Sequence, residues 1–329
     1  MTAVGGVAVN DMSDRTAMGL PEHFVRRSLG DVVDRHPEFH RADVAELVAV
    51  ADDPAEDLER RLAAGSRLSI EGDPRIDPLA PRMVTLPGAT AMIGTPVELV
   101  DAVTREWSAV GVVEAWIEKE TPRHERRVQS FAIGVTPVTN VEYRAFLEAT
   151  NHARLPTSWH LGVYPWHSSN HPVHGISAED ADAYAAWLAD ATGRSFRLPT
   201  EVEWEYAASG GDGRQYPWGE RFDDRMANTV EAGPLGTSPV GAYLDGASPF
   251  GVLDLGGNVE EWVADCYAPY PGAAVVDDDL SGVAPYRVAR GGSFARYGDL
   301  ARCARRHGYF PRPIYALGFR LAESVMADV

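Results

Sequence analysis

The 329-residue sequence predicts an α+β protein with unusually little regular structure and a small helical extension at its N-terminal side. Three observations carry that expectation. Helical spacing of apolar residues is confined to the first 120 residues and a few short segments after them. From residue 209 to 325, brief apolar runs alternate with Gly, Pro, Asn and Asp, the texture of short strands joined by turns. No fixed period repeats, and nothing resembles the strand-helix alternation of a parallel βαβ array.

The elements follow in order. Residues 1–20 are small and polar and read as a loose tail. Val44, Leu47, Val48 and Ala51, then Leu58 and Leu62, have helical spacing, with Pro54 between the two runs. Glu71-Gly72-Asp73-Pro74 closes this extension, so the chain divides into residues 1–80 and a main domain, 81–329. Met83-Val-Thr-Leu86 is a strand candidate. Over about 98–118, Val100, Val103, Trp107, Val110 and Ile117 trace one stripe of an inserted core-packing helix. Thr139 with Glu142, Ser177 with Asp180 and Thr200 with Glu203 have the spacing of capping boxes and mark three helix starts. Brief strands are expected at 238–241, 250–253, 287–290 and 318–321.

Composition narrows the function classes. An apolar share of 45% and a charged share of 24% are those of an ordinary globular protein. A net charge of −18 opposes a phosphate backbone or an anionic membrane surface, so a small molecule is expected as partner, with no nucleic acid and no membrane. Cys266 and Cys303 form neither a CxxC pair nor a zinc knuckle, and two cysteines do not make a disulfide-dense secreted fold. Residues 1–19 show no leader pattern, and no apolar run approaches the roughly 18 residues of a membrane helix, which makes the cytoplasm the expected compartment. There is no GxxxxGK[ST] or GxGxxG loop for a nucleotide and no GxSxG elbow for a serine nucleophile. Nothing in the sequence fixes an oligomeric state.

An ordered series of segments then resembles one family. It runs through Met83-Val-Thr-Leu-Pro-Gly88, Phe131-Ala-Ile133, Pro137-Val-Thr-Asn140, Asn170-His-Pro-Val173 and Phe196-Arg-Leu-Pro-Thr-Glu-Val-Glu-Trp204. It continues through Tyr216-Pro-Trp-Gly219, Gly256-Gly-Asn-Val-Glu-Glu-Trp262, Arg290-Gly-Gly-Ser-Phe294 and Gly318-Phe-Arg-Leu321. The chain from about 81 to 325 is similar to the formylglycine-generating (sulfatase-modifying) enzymes. The resemblance implies their irregular fold, related to C-type lectins. That fold serves copper- and iron-dependent oxidations as well as binding without catalysis, so the site must decide between them.

The copper members hold Cu(I) with a thiolate pair beginning two residues after the aromatic of Gly-Gly-Ser-aromatic. Here Gly291-Gly292-Ser293-Phe294-Ala295-Arg296 puts Arg296 at the first thiolate position, and Cys303 falls at a packed position. Formylglycine generation is therefore not expected. Arg296, Arg302, Arg305, Arg306 and His307 crowd the same window, and guanidinium forks suit carboxylate or phosphate. Arg296, Arg302, Arg306 and Trp159 are the expected substrate-binding residues. His307, Ser293 and Arg296 are the expected catalytic group, with Ser293 read as a hydrogen-bonding pocket serine. The opposing reading pairs these arginines with the acidic surface.

Trp166-His167-Ser-Ser-Asn170-His171-Pro172-Val173-His174 gathers three imidazoles, which suit Fe or Cu. His167 and His174 are the candidate redox-metal ligands. Pro172 breaks helical pairing, and His171 falls at a turn common to the family and reads as structural. The resemblance also implies a structural Ca²⁺ on the side chains of Asp254 and Glu261 and the carbonyls of Gly257 and Val259. A possible second Ca²⁺ would sit on Asn228 and the Thr229 carbonyl. Asp277-Asp278-Asp279 reads as a solvated loop. Two functions are weighed: a metal-dependent oxidoreductase acting on a small polar or anionic substrate, and a ligand-binding or sensor module without redox chemistry.

Overall fold

A computed structural model describes residues 9–280, 282 and 285–325. In the extension, α1 (Asp14–Ala17) and α2 (Leu29–Val33) are single turns, followed by the hairpin α3 (Val44–Asp52) and α4 (Leu58–Glu71). Asp43 starts α3 with a reciprocal capping box to Glu46, and Leu47, Ala51, Ala63, Ala64 and Leu68 form the buried seam of the pair. Gly65 of α4 lies against Pro239, where an added Cβ would come within 2.8 Å, so the hairpin docks by close approach.

Next come β1 (Met83–Leu86), β2 (Ala89–Ile93), α5 (Val100–Trp107), α6 (Glu114–Glu118), β3 (His124–Val128) and β4 (Phe131–Gly134). The chain continues through α7 (Asn140–Thr150), α8 (Ala178–Thr192), β5 (Phe196–Arg197) and α9 (Glu201–Ser209). It finishes with β6 (Glu260–Cys266), β7 (Arg287–Arg290), β8 (Leu317–Phe319) and β9 (Ala322–Ser324). All three expected capping boxes form: Thr139, Ser177 and Thr200 each accept from the N3 backbone N–H while the N3 carboxylate reaches back. Each box satisfies two orphan amides of its first turn locally, those of the N-cap and N3 residues.

The strands make three small sheets. One is antiparallel with order β1-β4-β9-β5, one is the β2-β3 pair, and one has order β7-β6-β8 with β6 and β8 parallel. α7 and α8 pack over the first and third sheets through Tyr143, Phe146, Tyr184, Leu188, Trp262 and Phe319. α9 buries Trp204, Tyr206 and Ala207 against Leu86, Ile133, Val263 and Val288 on the other side.

Several expectations are corrected. The stripe over 98–118 is two helices, because the chain turns through Gly111 in the left-handed region (φ 85) after a single 3₁₀ turn. Residues 238–241 and 250–253 form no strand, whereas β6 is a strand that the expectations above omit. Residues 9–18 are not loose: Val9 and Ala17 are buried against Val103, Trp116, Ile117 and Tyr315. The first eight residues of the supposed tail lie outside the described residues. The acidic loop is held, with Asp278 pairing Lys119 and Asp279 accepting from the Trp116 indole at 3.0 Å.

Candidate functional site

Strand β6 alternates its side chains across the sheet, so consecutive glutamates serve different places. Glu261 points into the core. Both its oxygens are held by Arg320 at 2.6 Å, and the Trp204 indole donates to one of them at 2.7 Å. Glu260 points the other way and accepts from the Ser293 hydroxyl at 3.1 Å. His307, bridged to β7 through Ala289, brings Nδ1 to 3.6 Å from the same carboxylate. Burial pushes the Glu260 carboxyl up to about 7, with Arg296 and the Ser293 hydroxyl pulling the other way. His307 is held well below its ordinary value, first by burial and then by Arg305 and Arg296, so the imidazole is neutral.

Arg296 completes the group. It is buried with its guanidinium 4.8 Å from the centre of the Tyr315 ring. Five buried polar atoms here lack a hydrogen-bond partner: Arg296 Nη1, Glu260 Oε2, His307 Nε2, Arg305 Nε and Asp299 Oδ2. Arg296, Arg305, His307 and Tyr315 line a small cavity of about 20 Å³, with Asn10, Trp116 and Lys119 among the other walls. Buried orphan groups cost stability, and this concentration of them marks the place where polar atoms of a ligand or water are needed.

The other expected substrate arginines lie elsewhere. Arg302 forks onto Glu120 at 3.0 and 2.5 Å and reaches Thr95 at 3.1 Å. Arg306 forks onto Glu201 at 2.7 and 2.8 Å and lies over the Tyr270 ring at 4.0 Å. Their forks are spent on buried carboxylates, and they brace α6 and α9 rather than face an opening. Trp159 is a core residue: its indole donates to Asn140 at 2.7 Å and its ring packs on Tyr143. Ser293 stays with the site. The site residues missed above are Glu260, Tyr315 and Asp299. Only Glu260 carried a signal, as the neighbour of Glu261 on an alternating strand.

The histidines do not assemble. His167 stacks edge-on to Trp166, His171 is buried with Nδ1 3.0 Å from the Thr237 hydroxyl, and His174 lies edge-on to Phe294. Burial lowers His174 to about 4. Among the described residues no group of three His, Cys, Asp or Glu side chains converges to hold a metal ion, so this donor set does not fit a redox metal. Cys303 is buried and Cys266 exposed, and the two are not bonded.

The calcium positions fit a hard cation in part. Asp254 is a buried carboxylate that accepts the Gly241 N–H at 2.7 Å on one oxygen. Burial raises it to about 6. Glu261 is committed to Arg320 and keeps one lone-pair direction. At the second position Asn228 Oδ1 is buried without a hydrogen-bond partner, and the Thr229 hydroxyl and the Glu231 carboxylate lie next to each other. Glu231 supplies an acid there that the sequence did not make evident.

Small sheets joined by long ordered loops, braced by buried arginine–carboxylate forks, define an α+β protein of the formylglycine-generating-enzyme type. The sulfatase-modifying factor enzyme 1-like domain matches residues 70–325, and the chain belongs to that family. The formylglycine-generating enzyme of Streptomyces coelicolor is 34% identical across 62% of this chain and 81% of its own length. A hercynine oxygenase of Mycolicibacterium thermoresistibile is 32% identical, but the chain spans only 54% of it. The inactive C-alpha-formylglycine-generating enzyme 2 of Mus musculus is 31% identical over 86% of its length. The structure of PvdO from Pseudomonas aeruginosa superposes with a TM-score of 0.56 at 27% identity, covering 75% of this chain and 95% of that one. No helix among the described residues is long and apolar enough to cross a membrane.

Proposed function

We propose that the chain is an oxidoreductase of its family acting on a small polar or anionic molecule at the Arg296–Glu260–Ser293–His307 group, and that it is not a formylglycine generator. The carrying observation is Arg296 at the first thiolate position of the copper members, with an N–H that has no hydrogen-bond partner, on the wall of a cavity also lined by Arg305 and His307. In this reading the Arg296 fork binds and orients a carboxylate or similar anion. Glu260, fixed by the Ser293 hydroxyl, and the neutral His307 hold and move a proton beside it. Oxygen-dependent chemistry is supported by the likeness to a hercynine oxygenase, and a redox metal by nothing the described histidines do. Structural calcium is supported by the buried carboxylate of Asp254 and by the orphaned Asn228 oxygen.

The alternative is ligand binding without turnover. It is favoured by the dispersal of His167 and His174 and by the likeness to a relative named as inactive. Elemental analysis of untagged protein with oxygen-consumption assays separates the two. Stoichiometric iron or copper and substrate-dependent oxygen uptake are expected for the enzyme. Calcium alone, with no oxygen uptake after iron or copper reconstitution, would move the binding module ahead.

A further inference from the structure

One wall of the Arg296 cavity comes from the segment of residues 9–18, through Asn10. Its amide donates to Asp279, and its carbonyl oxygen accepts from the Tyr315 hydroxyl, the ring of which lies under the Arg296 guanidinium. One side chain clamps the segment from the other side. Arg312 donates to the carbonyls of Val9 and Asn10 at 3.0 Å each and of Met12 at 2.7 Å, and pairs Asp14 at 2.8 Å.

The rest of the attachment is slight. Val9 and Ala17 are the segment's buried apolar residues, α1 is a single turn, and no residue of 9–18 joins a sheet. The Arg312–Asp14 pair is partly exposed and therefore screened by solvent and salt. A segment outside every sheet, held by the Arg312 guanidinium, the Asn10 side chain and the apolar contacts of Val9, Met12, Ala17 and Met18, belongs to the low-stability end of a structure, where local opening precedes global unfolding.

Resting on the anion-site reading above, we propose that residues 9–18 are a displaceable strap that closes this site. Lifting the strap withdraws the Asn10 amide and exposes the Tyr315 hydroxyl and the free Arg296 N–H to a small carboxylate. The closed form, with a cavity too small for more than a water, is then the resting state.

Two measurements on the full chain test this. Hydrogen exchange of the Ala17 and Met18 amides is expected to be far faster than that of β6 and β7. Exchange at the rate of those strands would show that the strap does not lift by itself and would overturn the proposal. Oxalate binding by calorimetry is expected to tighten about ten-fold in Arg312→Ala, because a larger share of molecules is open. Asp14→Ala releases the same clamp from the strap side, should Arg312→Ala fold poorly. Unchanged affinity in a folded release variant would overturn the strap. Oxalate binding by neither form would overturn the anion site instead, and the exchange rates would still decide the strap.

Discussion

Neighbouring arginines of one basic cluster do different work, and substitution should separate them. Arg302 and Arg306 are buried and forked onto Glu120 and Glu201, so removing either leaves a carboxylate without its counter-charge. Arg302→Ala is expected to lower unfolding free energy by about 3–5 kcal/mol in urea melts, the usual result of breaking a buried pair. Arg296 spends its charge on a ring and a cavity. Arg296→Ala should lose oxalate binding while its melting temperature falls far less than that of Arg302→Ala. Equal losses of stability would place Arg296 with the braces and remove it from the site.

At the level of elements, the capping boxes illustrate what local sequence specifies and what burial adds. Glu142 caps α7, taking the Thr139 N–H at 2.7 Å and its hydroxyl at 2.6 Å, and burial raises its carboxyl to about 7. The folded state therefore holds this proton more tightly than the unfolded chain does, where the value is near 4.5. The contribution is intact below about pH 4.5 and is lost as pH rises through 7. Glu142→Gln keeps an acceptor at N3 and is expected to remove up to about 3 kcal/mol of that pH-dependent loss, read as higher relative stability at pH 8 than at pH 4.5. A variant less stable than the parent at pH 8 would contradict the assignment.

All three boxes were legible because both partners lie three residues apart. β6 was not, because Glu-Glu-Trp-Val-Ala-Asp-Cys lacks the alternation of a half-buried strand. Its two acids are made tolerable by Ser293 and Arg320, which are distant in sequence. The same separation hid the arginine braces, since Arg302 and Glu120 stand 182 positions apart and Arg306 and Glu201 stand 105 apart. Family motifs located the site window. They did not show which of its guanidiniums were already engaged.

For the whole molecule, the extension and the main domain meet at close range, and that contact can be cut. A side chain at Gly65 would collide with Pro239, so Gly65→Leu should undock the α3–α4 hairpin and make residues 72–82 sensitive to limited proteolysis. Uncut protein under those conditions would mean that the hairpin is anchored elsewhere. Calcium should register globally. Chelation is expected to lower the melting temperature of the parent and to leave Asp254→Ala unmoved, because ligand binding to the native state adds stability by mass action.

The four-stranded sheet has β9 between β4 and β5, and β8 pairs in parallel with β6, so two of the three sheets wait for residues 317–324. During synthesis the inner edge of β4 stays unmatched until β9 is made, and one flank of β6 until β8 is made. Long-range pairing of this kind slows folding and prolongs exposure of open edges. A net charge of −18 opposes association between chains whose sheet edges are still open.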